Sequence, residues 1–482
     1  MPLQAHRRFP ARQILRRLSG PTFGLVLALL AFALAALPLS AQPEPLVGLT
    51  LPQARLLARQ ALDSGDPGLA VRIGKGLLKA DPKDPLAYYI IASGYAQLND
   101  PVLARRAAGY AYRFSPPGPN RFEAAQLAAR MAFDSGHYSL SQLWLRRTAI
   151  HAERDADVDR IARDYKLLRR INPWSLRLRA DLRPSDNVNN GSDTSLNIID
   201  GVPDGGTISA SARALSGTIA SLDVAPAYRL TAGARSATFL AARLYVERVA
   251  LSESAKALAP RATGSDFAST YGELSLSHAI ALGAPDSGGS LRFGLALGES
   301  WYGGERSYRF ARLEAERGWR LAGGADLVLR AEVETRNKAR FRSNDADILG
   351  FGLAYGRTLP NGDEIDLTIA LRDARAASVN GTYDSASMRL AYAPDQRIGP
   401  ARLAIGLVVG TTRYDTFIAS LFRPPTQRTD TSLYGDVTLV FDRFDYAGFV
   451  PTLRLRAGQK TSNFSRFESR ELSLSLGIGS RF

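Results

Sequence analysis

The sequence predicts an α plus transmembrane β protein: a domain of α-helical repeats followed by a 14-stranded antiparallel barrel. Three observations predict it. The closing stretch, Glu468–Phe482, alternates almost without error: Leu472, Leu474, Leu476, Ile478 and Phe482 share one face, Ser473, Ser475, Gly477, Gly479 and Arg481 the other. The same two-residue period recurs upstream, as at Leu291–Gly298, Asp366–Arg372, Arg402–Leu407 and Asp436–Phe441. Residues 45–171 differ in texture, being rich in Ala, Leu and Arg with short breaks at Gly and Pro.

The N-terminal segment comes first. Arg7, Arg8, Arg12, Arg16 and Arg17 precede an apolar run from Phe23 to Leu37, and Pro38–Ala41 end it before Gln42. A basic region, a short apolar core and a small residue at the break predict a secretory signal peptide over 1–41, cleaved after Ala41. The core is short for a bilayer-spanning helix and ends at a proline. The rest of the chain is expected to enter the periplasm.

Seven helices are predicted next, over Pro52–Ser64, Gly68–Lys79, Pro85–Leu98, Val102–Phe114, Arg121–Asp134, Leu140–His151 and Ala156–Arg169. Asp66-Pro67 returns 34 residues later as Asp100-Pro101, and Ala70 as Ala104. A third unit would place Asp134 where Asp100 stands, followed by Gly136-His137-Tyr138. Gly94, Ala104 and Ala108 suit close helix approach. A 34-residue helix–turn–helix period is that of tetratricopeptide repeats, so 42–171 are read as such a domain, placed in the periplasm. Stacked repeats present a concave surface for a peptide or protein. Tyr88, Tyr95, Arg105, Arg106, Tyr110, Tyr112, Trp144 and Arg147 are its candidate contact residues, although many must be core or solvated-face positions.

Asn172-Pro173 ends the helical pattern, and residues 172–482 form the predicted barrel. Its first strand starts at Trp174, and an Asp/Asn-rich loop follows from Asp186 to about Gly206. Such a loop can hold calcium, but this one lacks a ligand spacing and is read as structural. Strands near 210–221 and 223–235, with those that follow, give one more than an even count. Single-chain barrels favour even numbers, so one early boundary must be wrong, with Ser209–Arg235 the first candidate; 14 strands are expected, with 12 or 16 as the alternatives. Gly303-Gly304, Gly323-Gly324 and Asn361-Gly362 are compact breaks; Ser252–Asp266, Lys338–Asp345 and Ile418–Asp430 are longer links. Trp301, Tyr302, Tyr308, Trp319, Tyr355, Tyr414, Tyr434 and Phe449 are placed in interfacial girdles. Lipid cannot hydrogen-bond an open edge, so the first strand must pair with the last, bringing the Leu176 region to the Leu474 region.

Composition narrows the chemistry. The 482 residues carry a formal charge of +15, with the Arg and Lys beyond the leader spread through strands rather than gathered in a patch, which argues against nucleic-acid binding. No cysteine is present, which removes thiolate chemistry, zinc–thiolate sites and lipidation on cysteine. No GxSxG, HExxH or phosphate-loop motif occurs. Glu314, Glu316, Glu332 and Glu334 alternate onto one face and read as lumen lining, and His278 as a rim or packed residue. No enzyme activity and no cofactor or metal are expected.

Two motifs carry a resemblance. Pro184-Ser185-Asp186-Asn187-Val188-Asn189-Asn190 is similar to a "PSDNINNA" run, with Gly191 in place of Ala. Gly448-Phe449-Val450-Pro451, then Ser462-Asn463 and a last strand ending in Phe482, resemble a "GFTP…SN" pattern, and Arg428 with Asp430 resembles a basic–acidic turn. In these features the chain resembles the surface lipoprotein assembly modifier (Slam) family of Gram-negative bacteria. The resemblance implies a cell outer-membrane translocon for a client protein, either a surface lipoprotein or a secreted haem- or metal-scavenging protein. The helices would recruit the client or a periplasmic chaperone carrying it. Phe482 would be read by the barrel-assembly machinery, and a monomeric barrel would sit among outer-membrane lipid and lipopolysaccharide. The residues alone leave two alternatives: a general or selective porin with an accessory domain, and a polysaccharide-export barrel with a helical scaffold.

Overall fold

The computed structural model describes residues 48–284, 288–337, 345–419, 424–444, 446 and 448–480, the side chains of 204 and 205 excepted. The predicted leader, most of the Lys338–Asp345 link and Phe482 lie outside them.

Among the described residues seven helices come first: α1 (Leu51–Asp63), α2 (Pro67–Ala80), α3 (Pro85–Gln97), α4 (Pro101–Phe114), α5 (Pro119–Asp134), α6 (Tyr138–Ile150) and α7 (Asp155–Ile171). Proline opens α2, α3, α4 and α5, where a missing N–H costs nothing. The 34-residue echo has a physical cause. Asp66 and Asp100 cap α2 and α4 by accepting from the Leu69 and Leu103 amides at 2.9 and 3.0 Å. Gly65, Asn99 and Gly136 take positive φ, letting the amides of Asp66, Asp100 and His137 fold back onto the carbonyls of Ala61, Tyr95 and Ala132. His137 therefore holds the place of Asp100 in the third hairpin, not Asp134, because α5 has 16 residues where α3 has 13. Small residues set the spacing: Ala104 and Ala108 are fully buried, and a Cβ on Gly94 would lie 2.6 Å from Val71 Cγ2. No described helix is long and apolar enough to cross a membrane.

The helices are tied to the barrel through Asn172. Its amide nitrogen donates to Ser139 Oγ and Gln142 Oε1 of α6, and its oxygen accepts from the Trp174 amide. Arg229 donates to the carbonyls of Arg170 and Ile171.

Fourteen antiparallel strands close the barrel: β1 (Trp174–Ser185), β4 (Gly217–Ala232), β5 (Ser236–Leu251), β6 (Ser269–Leu282), β7 (Gly289–Tyr302), β8 (Glu305–Arg320), β9 (Ala325–Asn337), β10 (Ala346–Thr358), β11 (Glu364–Ala376), β12 (Tyr383–Ala393), β14 (Ala401–Phe417), β15 (Thr426–Val440), β16 (Phe449–Ser462) and β17 (Ser469–Ser480). The hairpin β2–β3 (Leu196–Ile199, Val202–Thr207) sits in the β1–β4 loop, and β13 (Arg397–Ile398) is a two-residue spur on β14. Each strand pairs with its neighbour in sequence, and β17 pairs with β1 to complete the ring. The surplus predicted strand disappears where expected: 210–221 and 223–235 are one strand, β4, preceded by a 3-10 turn at Ala210–Ala212.

The outer face carries exposed apolar side chains on every side, among them Leu222, Leu274, Leu297, Leu313, Val333, Leu371, Leu407, Val437, Leu455 and Leu474. An apolar belt on a closed sheet whose backbone bonds are satisfied internally is the surface a bilayer requires. Loops at the helix-side end are short, and the opposite rim carries long ones. Gly303-Gly304 joins β7 to β8 on that far rim, unlike Gly323-Gly324 and Asn361-Gly362; all but Asn361 of these six take positive φ, as tight hairpins demand.

Three expectations are corrected. Tyr434 pairs across to Gly458 and thence Glu471 on the inner face, so it is not a girdle residue; Tyr414 likewise packs inward against Phe417. Thr426–Asp430 belong to β15, not to a loop. In the seam, Leu182 stands opposite Leu476 and Arg179 opposite Gly479, a register that keeps Leu176 away from Leu474.

Candidate functional site

The inner wall is a series of arginine–carboxylate pairs. Arg243 meets Asp223 at 2.9 Å, and Arg312 bridges Glu273 and Glu334, which also accepts from Arg336 at 2.6 Å. Arg330 holds Glu316 at 2.6 Å, and Arg372 approaches Glu332 at 3.3 Å. Arg389 forks onto Asp436 at 2.7 and 3.1 Å with Arg454 on the same carboxylate, while Arg183 and Arg456 share Glu471. The glutamates therefore line the lumen as predicted, each matched by a guanidinium that spares an unpaired charge near lipid. His278 shares a hydrogen bond with Thr238 at 2.9 Å.

At the far rim the two motif stretches meet. The β1–β4 loop is shaped by its asparagines. Asn187 donates to the Gly191 carbonyl and accepts from the Gly191 amide; Asn189 donates to the Arg213 carbonyl and accepts from the Leu215 amide; Asn190 takes φ 52°. A Cβ at residue 191 would lie 2.4 Å from the Arg213 carbonyl oxygen, which is why glycine stands there. Asp186 accepts from the Leu472 amide of β17. The loop then crosses to the β16–β17 link. Asn463 donates to Asp200 Oδ1 at 2.8 Å, and Ser465 Oγ donates to the Leu196 carbonyl and accepts from the Ile198 amide. Ser462 Oγ accepts from the Phe464 amide. Ile199, Phe417 and Phe464 form a buried cluster at this crossing. Beneath it lies Arg428, paired with Asp430 and set over the rings of Tyr414, Phe417 and Phe467; both partners are buried on β15, not in a turn. At the other end, Gly448 takes φ 86°, Phe449 opens β16, and the Pro451 carbonyl accepts from the Phe441 amide.

On the helices, six of the eight candidate contact residues gather. Arg105, Arg106, Tyr110, Tyr112, Trp144 and Arg147 line a pocket of about 740 Å³, together with Gly109, Arg113, Arg121 and Tyr446 of the β15–β16 link. Trp144 is the floor rather than a free surface group, since it is 6% exposed and belongs to the core. Arg147 stacks on it at 4.6 Å, and Arg121 and Arg147 both stand over Tyr112. Tyr88 is outside the pocket but stacks on Tyr110, whose ring is exposed, at 5.1 Å. Tyr95 packs against the core with Lys75 over its ring. Arg113, Arg121 and Tyr446 were missed from the sequence. A signal for the arginines existed: residues 101–122 hold four arginines and no acid.

The fold and these sites define a tetratricopeptide-like helical domain followed by a closed transmembrane barrel of the outer-membrane kind. No protein-family model matches the chain, and no curated protein sequence matches it. Among solved structures it is similar to the first TPR of Spaghetti (RPAP3) bound to an HSP90 peptide, at 14% identity over 24% of this chain and 93% of that one, with a TM-score of 0.22. It is similar to OccAB3 of Acinetobacter baumannii at 9% identity over 63% and 99%, TM-score 0.35. A bacterial polysaccharide outer-membrane secretin also matches, at 9% identity over 64% and 98%, TM-score 0.32.

Proposed function

We propose that this chain is a non-enzymatic outer-membrane translocon of the Slam type, exporting or displaying a client protein recruited in the periplasm by its helical domain. The observation that carries this reading is the arginine- and aromatic-lined pocket on repeats clamped to the first barrel strand through Asn172. A recruited client would be held beside the barrel, and directionality would come from folding or capture outside. Acyl chains do not cross a watery lumen readily, so a lipoprotein would leave through the β1–β17 seam. The chain has no cysteine, so a Leu182→Cys/Leu476→Cys pair tests that route cleanly. Complete crosslinking should abolish lipoprotein display. Unchanged display with full crosslinking would reject the seam.

A second reading is a substrate-selective pore with an accessory domain. The arginine–carboxylate wall favours it, since such pairs present fixed charges to a small solute. Deleting residues 45–170 separates the two: a pore keeps its conductance and uptake, whereas a translocon stops displaying its client.

A further inference from the structure

We propose that the pocket between α4 and α6 binds an acidic peptide segment, two or more carboxylates interleaved with apolar side chains. This rests on the reading of the helical domain as a recruiter and names the chemistry it would recruit.

Arg105, Arg106, Arg113, Arg121 and Arg147 all line the pocket, and among the described residues no Asp or Glu does. None of the five enters any of the ion pairs found among the described residues, whereas most inner-wall arginines of the barrel have a carboxylate partner. Arg105 Nε is buried with no hydrogen-bond partner, a donor still waiting for an acceptor. Arg121 spends only its Nε, on the Ser115 carbonyl at 2.7 Å. The nearby His151 imidazole is held below its ordinary pKa, by burial first and then by the charge of Arg121.

Shape then selects among anions. Arg147 lies over Trp144 at 4.6 Å and over Tyr112 at 5.8 Å, and Arg121 over Tyr112 at 5.4 Å. Stacking fixes these guanidinium planes and leaves their edges to fork onto planar carboxylates. A pocket of about 740 Å³ greatly exceeds one small ion, given that a water occupies only ~30 Å³. Tyr110 is exposed at the pocket edge and continues into a ladder with Tyr88 and Phe114 at 5.1 and 6.3 Å. That ladder offers an apolar track beside the charges, which an extended acidic peptide uses and a bare phosphate does not.

The test is fluorescence anisotropy of labelled hexaglutamate against the full chain in detergent micelles. Saturable binding is expected, weakened about tenfold or more by Arg106→Gln/Arg147→Gln. Arg59→Gln/Arg72→Gln removes the same charge from α1 and α2 and should leave affinity within about twofold. Arg106→Glu alone, at an exposed position, guards against a misfolded double variant and should also weaken binding. Equal weakening by both double variants, no saturable binding, or displacement by inorganic phosphate at matched charge would overturn the proposal. If the peptide binds as expected but deletion of 45–170 leaves client display intact, the pocket stands and the export reading falls. If display needs the domain but hexaglutamate does not bind, the reverse holds.

Discussion

Asn463 and Asp200 grip each other twice: the Asn463 side-chain amide donates to Asp200 Oδ1, and the Asp200 amide donates to the Asn463 carbonyl, both at 2.8 Å. One residue precedes the last strand and the other lies in the loop after the first. The contact therefore latches the two sides of the seam at the far rim, where Asp186 and Arg183 also reach β17 and its Glu471. The barrel's closing ladder runs from Arg179–Gly479 to Ser185–Ser473, so the latch extends it beyond the strands.

Ser465 is the buried centre of that latch, donating to the Leu196 carbonyl at 2.7 Å and accepting from the Ile198 amide at 2.8 Å. Ser465→Ala leaves both backbone groups without this partner, a local cost of about 1–3 kcal/mol. Hydrogen exchange at Leu196–Thr207 should quicken by about tenfold or more while the core strands keep their protection. Unchanged exchange there would show that the hairpin is held by its apolar contacts alone.

Arg428 and Asp430 are both 6% exposed, and three aromatic rings surround the guanidinium. Arg428→Met strands a buried carboxylate and should cost about 3–5 kcal/mol. Lysine should not rescue it, because the fork onto both carboxylate oxygens is lost. The readout is the temperature at which the folded barrel converts to its slower-migrating unfolded band on a gel. Arg428→Met/Asp430→Leu should recover most of the loss. A double variant as weak as the single would mean that ring packing, not the unpaired charge, sets the stability.

The elements were legible where a period controls them. Alternation located the strands because each has one lipid face and one polar face, and the Asp-Pro echo located two hairpins because the same cap recurs. The third hairpin was placed with its Gly136-His137-Tyr138 turn, but its equivalence to the other two was set three residues early, because His137 provides no side-chain cap and the turn is carried by Gly136 and the backbone. The split of β4 arose at Ser209–Arg235, where the loop and the strand share small residues. The latch was invisible: nothing in Asn463 or Asp200 announces a partner 263 residues away, although both motif stretches had been singled out. The pocket was half legible, since arginine and tyrosine can be marked from sequence but which of them gather around Trp144 is a property of the packed helices.

Gly94 and Gly109 give opposite predictions for one substitution. A Cβ on Gly94 would meet Val71 Cγ2 at 2.6 Å and the Pro67 carbonyl at 3.1 Å, so Gly94→Ala forces α2 and α3 apart at about 1–3 kcal/mol. On Gly109 the nearest atom is Trp144 Cζ2 at 3.5 Å, an ordinary contact, and alanine gains about 0.8–1 kcal/mol of helix propensity. Thermal loss of the far-ultraviolet helical signal should come earlier in the first variant and later in the second. The same sign in both would refute the packing argument.

His151 makes the helical domain sensitive to pH. Its Nε2 lies 3.3 Å from the Tyr112 hydroxyl, and burial, then the charge of Arg121, hold its pKa below the ordinary value of about 6.5. The unfolded chain thus takes up a proton first as pH falls, so between the depressed and ordinary values stability rises with pH and is fully present above the latter. Melting of the helices, followed from about pH 8 down to about pH 5, should move to lower temperature, and His151→Gln should flatten that slope. An anion bound at Arg121 offsets the charge that keeps the imidazole neutral, so saturating hexaglutamate should shrink the slope as well. A slope unaffected by the peptide in a chain that binds it would place the bound carboxylates on the Arg105–Arg106 side of the pocket, away from Arg121.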